Sequence, residues 1–74
     1  LESLRSDVLF ELEQKYGDIS SRLGNSRLMF RLSSEDTALM ASADLSEFCD
    51  YNRVPVTIKQ SENMIFLYSK DAEE

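Results

Sequence analysis

The sequence predicts a two-layer α/β sandwich, with two helices on one face of a mixed sheet of three or four strands. Apolar residues recur every three or four positions in two segments, and they alternate with polar residues in two others. A fifth segment, near the C-terminal end, is apolar throughout. A chain of 74 residues has room for a single core. We therefore expect residues 1–74 to form one small domain.

The first segment is predicted to be helical. Its apolar residues recur every four positions at Leu4, Val8, Leu12 and Tyr16. Gly17 is a natural end for this helix, because glycine tolerates the left-handed conformation at a helix C-terminus. Ile19 and Leu23 indicate a further short helical turn, which the Gly24-Asn25 pair would end.

The middle of the chain is predicted to form a strand and then a helix. Apolar and polar residues alternate over residues 27–32, which indicates a strand with one apolar face. Ser33 and Ser34 end the strand and can cap the segment that follows. Residues 35–53 are expected to be helical in two pieces, because Asp44 and Glu47 have the spacing of a capping box.

The C-terminal third is predicted to form a hairpin. Residues 54–58 alternate as a strand, and residues 60–63 have the composition of a turn. Residues 64–68 are apolar on both faces, which favours a central position in the sheet. The strand–helix–strand crossover predicts parallel pairing of the first and second strands. Lys70 begins a polar tail.

Charge and composition argue against several classes of function. The chain has 14 acidic and 8 basic residues, a net charge of −6. Nucleic acid is therefore not an expected partner, because affinity for it comes mainly from cations that meet phosphates. Of the basic residues, only Arg22, Arg27 and Arg31 lie close together in the sequence.

Histidine is absent from the sequence, and there is a single cysteine. A Ser-His-Asp or Cys-His site is therefore excluded within one chain, and the absence of a complete catalytic constellation argues against an enzyme without deciding the question. Carboxylates and one thiol are a poor ligand set for zinc, so we expect no metal and no cofactor. No apolar run approaches the ~20 residues that span a bilayer. With a single cysteine, this favours a cytoplasmic location and no membrane partner.

Residues 44–49 (DLSEFC) resemble the D-I-P-x-[FW]-C stretch in the second helix of the TusA/SirA sulfur carriers, also met as YedF-like proteins. Residues 27–32 fall where that family has its second strand, and residues 54–70 look like its final hairpin. In this alignment residues 1–5 stand for the family's first strand, and Ser6 stands near its catalytic cysteine. Neither proline of the family's Cys-Pro-x-Pro motif is present. The helical pattern competes with the strand at the N-terminus, and the resemblance favours the strand.

The resemblance implies a sulfur-carrier fold without its sulfur-carrying atom, because serine is far too weakly acidic to replace the family's thiolate. The first hypothesis is a non-catalytic relative, a protein-interaction or regulatory module that meets an unidentified protein partner around Ser6 and Asp7. A second hypothesis is a persulfide carrier that uses Cys49 or a cysteine outside this sequence. A third is a generic interaction domain excised from a larger protein. The oligomeric state stays open.

Two of these candidate residues also have simpler structural roles. Cys49 lies at helical spacing among apolar residues, so we expect it to be buried and inert. Ser6 is expected to cap a helix.

The charged candidates are equally open to a structural interpretation. The pairs Glu35-Asp36 and Asp44/Glu47 fall at expected helix starts, where acidic residues are stabilising. Arg27 and Arg31 fall on the polar face of a strand. They would either pair with acidic neighbours or meet a partner, and both alternatives stay open.

Overall fold

The chain folds into two helices and a four-stranded sheet. The computed structural model describes residues 2–17, 19–24 and 27–69. In chain order the elements are α1 (Glu2–Tyr16), β1 (Ser20–Leu23), β2 (Arg27–Arg31), α2 (Glu35–Tyr51), β3 (Val56–Ser61) and β4 (Met64–Ser69). Apolar residues from both helices and from the strands form one buried cluster. The predicted two-layer α/β architecture is therefore confirmed.

The sheet has the strand order β1-β2-β4-β3, and every neighbouring pair is antiparallel. The central position predicted for β4 is confirmed. The predicted parallel pairing is wrong, and with it the mixed sheet, because β4 lies between β2 and β3. Since both of these strands are antiparallel to β4, they run in the same direction, as in a split β-α-β unit. The apolar residues of β4 place it there, where it matches Leu67 with Leu28 and Ile65 with Phe30.

The N-terminal part differs from the sequence-based prediction at two places. Residues 2–6 belong to α1, so the strand that the resemblance favoured is not formed there, and Leu1 lies outside the described residues. The short helical turn predicted before Gly24 is instead β1, which pairs with β2 and supplies the fourth strand. Gly17 ends α1 as predicted, with a φ of +84°.

Helix α2 is continuous, and the predicted break at Asp44 is wrong. Its buried residues form a single stripe of Ala38, Ala41, Leu45 and Cys49. Because one side of the helix packs against the core along its whole length, nothing interrupts it. Of the two serines that were predicted to cap this helix, Ser34 is the N-cap, and its hydroxyl accepts a hydrogen bond from the Thr37 N–H at 3.2 Å.

The core lies between the helices and one face of the sheet. The largest fully buried side chains are those of Phe30, Leu28, Leu45, Ile65, Leu67 and Val8. Successive strand residues point to opposite faces, so the residues between these buried positions form the opposite surface of the sheet. We call this surface the outer face. Neither α1 nor α2 is long and apolar enough to cross a bilayer.

Candidate functional site

The outer face presents alternate residues of all four strands. The register aligns them in three rows: Arg22, Met29, Phe66 and Lys59; Ser20, Arg31, Met64 and Ser61; and Arg27, Tyr68 and Thr57. Neither helix covers this face, because both contribute to the core on the other side.

Every charged residue of the four strands is a cation, and all of them lie on the outer face. These residues are Arg22, Arg27, Arg31 and Lys59, and all four are exposed. None of the carboxylates that the structure describes forms an ion pair with them. The outer face is therefore a positively charged surface on a chain whose net charge is −6.

Two aromatic rings lie at the centre of the outer face. Phe66 and Tyr68 are both on β4, with ring centroids 6.5 Å apart and ring planes inclined by 28°. The guanidinium carbon of Arg27 lies 5.6 Å from the centroid of the Phe66 ring. The ammonium of Lys59 lies 5.5 Å from the centroid of the Tyr68 ring. Each ring is thus paired with a cation, an interaction that contributes about 0.5–1 kcal/mol at an exposed site.

A shallow concavity of about 280 Å³ opens on the outer face at the β1 side. Arg22 and Arg31 line it together with Met29, Met64 and the two serines of β1, Ser20 and Ser21. Two guanidinium groups beside hydroxyl groups provide fork-shaped donors for the oxygens of a phosphate or a carboxylate.

A second concavity, between the two helices, has the opposite electrostatic character. It also measures about 280 Å³, and the carboxylates of Glu11, Asp44 and Glu47 line it beside the ammonium of Lys15. Carboxylates disfavour an anion there, so the described surface offers its main anion-binding potential on the sheet.

Ser6 and Asp7 do not lie where the sequence analysis expected them. Both are exposed, but they are in the second turn of α1, which begins at Glu2. The predicted capping role of Ser6 is wrong, because its N–H is inside the helix and not at its start. The structure does not bring either residue close to the outer face.

The thiol of Cys49 is buried, with 3% of the residue exposed, as expected. Burial raises the pKa of this thiol, and the negative charge of Asp50 raises it further. Both effects disfavour the thiolate, which is the form that attacks sulfur or binds a metal.

The surroundings of the candidate carboxylate pairs are those of residues with a structural role. Glu35 and Asp36 are exposed in the first turn of α2. Asp44 accepts a hydrogen bond from the hydroxyl of Tyr16, and the ammonium of Lys15 lies 3.4 Å from the same carboxylate. Hydrogen bonding, first from Tyr16, holds the pKa of Asp44 below its usual value. The same bond raises the pKa of Tyr16 to about 12. Among the described residues no three potential ligands gather to hold a metal ion.

Sequence reasoning found half of the cationic surface. It placed Arg27 and Arg31 on the polar face of a strand, but it missed Arg22 because it predicted a helical turn there. Lys59 was missed because the strand around it was expected to end at residue 58, and β3 continues to Ser61. The signal that would have found both is the absence of acidic residues from every strand segment.

Comparisons of the chain with protein-family models, with curated proteins and with solved structures find no match. The resemblance of residues 27–70 to the TusA/SirA carriers therefore stays a prediction. In addition, residues 2–5, which the resemblance aligns with the family's first strand, belong to α1, and β1 lies between α1 and β2.

Proposed function

We propose that this domain is a non-catalytic binding module that docks an anionic partner on the outer face of its sheet. The observation that carries the proposal is the segregation of charge. Four exposed cations share the outer face, and no carboxylate lies in any of the four strands. A surface with one sign of charge attracts a partner of the opposite sign and repels one of the same sign.

The chemical surroundings of the candidate nucleophiles support a binding role over a catalytic one. Cys49 is buried, and its surroundings disfavour the thiolate. Ser6 has no histidine to activate it, since the sequence contains none. The hypothesis of a persulfide carrier that uses Cys49 is therefore weaker than that of a non-catalytic binding module.

The docking surface proposed here differs from the one implied by the TusA/SirA resemblance. That resemblance implied contact around Ser6 and Asp7. Those residues lie on the exposed side of α1, where they supply one carboxylate and no cation. The outer face offers a larger surface, with both charge and apolar side chains, and these are the features of protein surfaces that bind partners.

The test is a titration of the ¹⁵N-labelled domain with polyanions, followed by amide chemical shifts. The probes are an octaglutamate peptide, a heparin octasaccharide and an eight-nucleotide single strand, with octalysine as the control of opposite charge. We expect at least one polyanion to shift the amides of β1, β2, β3 and β4, with smaller shifts in the helices.

A matched pair of variants identifies the surface. Arg31→Gln removes one cation from the outer face, and Arg53→Gln removes one from the exposed turn after α2. Because both variants change the net charge equally, a difference in their affinity for a polyanion would show which surface binds it. Weakening by Arg31→Gln alone supports the proposal. Equal weakening by both variants, or the absence of shifts with all polyanions, would contradict it.

A further inference from the structure

The outer face carries more than positive charge. Phe66 and Tyr68 occupy alternate positions of β4, so both rings lie on the same side of a central strand. Their centroids are 6.5 Å apart, and the ring planes deviate from parallel by only 28°. Both rings are partly exposed, so they supply an aromatic surface to a planar ligand, which would share it with the cations that lie over the rings.

Cations reach this aromatic surface from the strands on both sides of β4. Arg27 of β2 lies over the ring of Phe66, and Lys59 of β3 lies over the ring of Tyr68. Arg22 and Arg31 lie further toward β1, around the concavity of about 280 Å³. A ligand that covers the rings therefore meets cations on either side of them.

We infer that the partner of the outer face is single-stranded nucleic acid, with bases against Phe66 and Tyr68 and phosphates against the flanking cations. This inference rests on the proposed function and names the chemical class of the partner. In some RNA-binding domains bases stack on aromatic rings at the surface of a four-stranded sheet, and in proteins that bind single strands cations follow the backbone. Arginine adds to this, because a guanidinium both stacks on bases and pairs with phosphate.

The rings favour a nucleic acid over an acidic peptide. Carboxylates would satisfy the four cations, but they have no aromatic face to stack on Phe66 and Tyr68. A single strand supplies both a negative charge and a base at each nucleotide. The bases of a duplex are already stacked on one another, so unpaired bases are the form that can stack on protein rings.

The net charge of −6 does not oppose this inference as strongly as the sequence analysis assumed. That prediction treated the charge of the chain as one quantity. In the structure nine of the 14 acidic residues lie on the two helices, which pack on the opposite side of the sheet from the outer face. Salt weakens the effect of distant exposed charges on a ligand at the sheet, because it screens charges that are more than a Debye length apart.

The experiment is fluorescence anisotropy with a labelled octauridylate strand at several salt concentrations. An octaglutamate peptide and a duplex of the same length are the comparison probes. We expect the single strand to bind more tightly than either. With four cations in contact, the logarithm of the binding constant should fall with the logarithm of salt concentration with a slope of roughly −2 to −3.

Two aromatic variants test the stacking. Phe66→Leu keeps an apolar side chain of similar size but removes the ring, and Tyr68→Leu does the same at the neighbouring position. The control is Phe10→Leu, which removes a ring that is 63% exposed on α1, away from the sheet. Loss of a stacked base should weaken binding by about fivefold or more for each outer-face variant. Phe10→Leu should leave binding unchanged, and circular dichroism should give the same folded spectrum for all three.

The outcomes separate this inference from the proposed function. If the single strand binds and either Phe66→Leu or Tyr68→Leu weakens that binding, the inference and the proposed function are both supported. Binding of octaglutamate at the outer face without binding of the single strand keeps the proposed function and overturns the inference. If the single strand binds but neither aromatic variant weakens that binding, the inference is also overturned, because the outer face then acts only as a charged surface. If no anionic probe reaches the outer face, both are wrong.

Discussion

Tyr16, the last residue of α1, donates a hydrogen bond from its hydroxyl to the carboxylate of Asp44 in α2. Asp44 is the residue that the sequence analysis expected to start a new helix. In the structure its carboxylate does not cap a helix end and instead joins the two helices. Lys15 adds an ion pair at 3.4 Å, but its side chain is 55% exposed and such surface pairs contribute little.

The first prediction concerns this hydrogen bond. Tyr16→Phe removes the hydroxyl and keeps the ring, so the free energy of unfolding should fall by about 1 kcal/mol. Urea unfolding followed by circular dichroism measures the change. Tyr51→Phe is the matched control, because Tyr51 is 88% exposed and should change stability by less than about 0.5 kcal/mol. Equal losses in both variants would assign no specific role to the Tyr16–Asp44 bond.

The second prediction concerns pH. The pKa of Asp44 in the folded state lies below the ordinary aspartate value of 3.8, so its contribution to stability is present above pH 3.8 and is lost as the pH falls further. The pKa of Tyr16 is raised from 10.0 to about 12, so its contribution is present below pH 10 and is lost as the pH rises to about 12. The difference in the free energy of unfolding between wild type and Tyr16→Phe should therefore be constant at neutral pH. It should decrease below pH 3.8 and again between pH 10 and about 12. A difference that stays constant from pH 3 to 11.5 would contradict this prediction.

The sequence predicts most of the helices and strands of this fold, but not all of them. Both helices and the strands β2, β3 and β4 followed from the spacing of apolar residues. β1 did not, because Ser20–Leu23 contains a single apolar residue and becomes a strand only through pairing with β2. Asp44 and Glu47 satisfy a local rule for helix starts, but the continuous buried stripe of α2 outweighs it.

The sheet order and the candidate site depend on long-range pairing. A crossover favours parallel direction, and β2 and β3 do run parallel, but local sequence cannot show that β4 is inserted between them. The composition of the outer face also depends on long-range strand pairing. Arg22 and Lys59 are 37 positions apart in the chain, and only the register places both in one row with Phe66.

The third prediction concerns the close approach of α2 to the sheet. Ala41 is fully buried in the core, so Ala41→Leu inserts three carbon atoms where no space is available. Such overpacking should lower the free energy of unfolding by about 1–3 kcal/mol. Ala43→Leu makes the same change on the exposed side of the same helix and should stay within about 0.5 kcal/mol of wild type. Similar urea midpoints for the two variants would show that α2 does not pack as described.

The fourth prediction concerns the thiol of Cys49. Because 3% of the residue is exposed and burial raises the pKa of its thiol, a disulfide reagent should modify the native protein far more slowly than the unfolded protein. The measurement is the rate of thionitrobenzoate release with and without 6 M guanidinium chloride. A native rate close to the unfolded rate would revive the persulfide-carrier hypothesis.

The fifth prediction concerns the turn between β3 and β4. Glu62 has a φ of +54°, a left-handed conformation that side chains with a Cβ adopt at a cost. Glu62→Gly should therefore raise the free energy of unfolding by about 0.5–1 kcal/mol, although glycine also increases the entropy of the unfolded chain. Ser61→Gly, one residue earlier and within β3, should have the opposite sign, because glycine weakens a strand. Urea unfolding of both variants measures this contrast, and a loss of stability in Glu62→Gly would mean that the glutamate side chain contributes more than its backbone conformation costs.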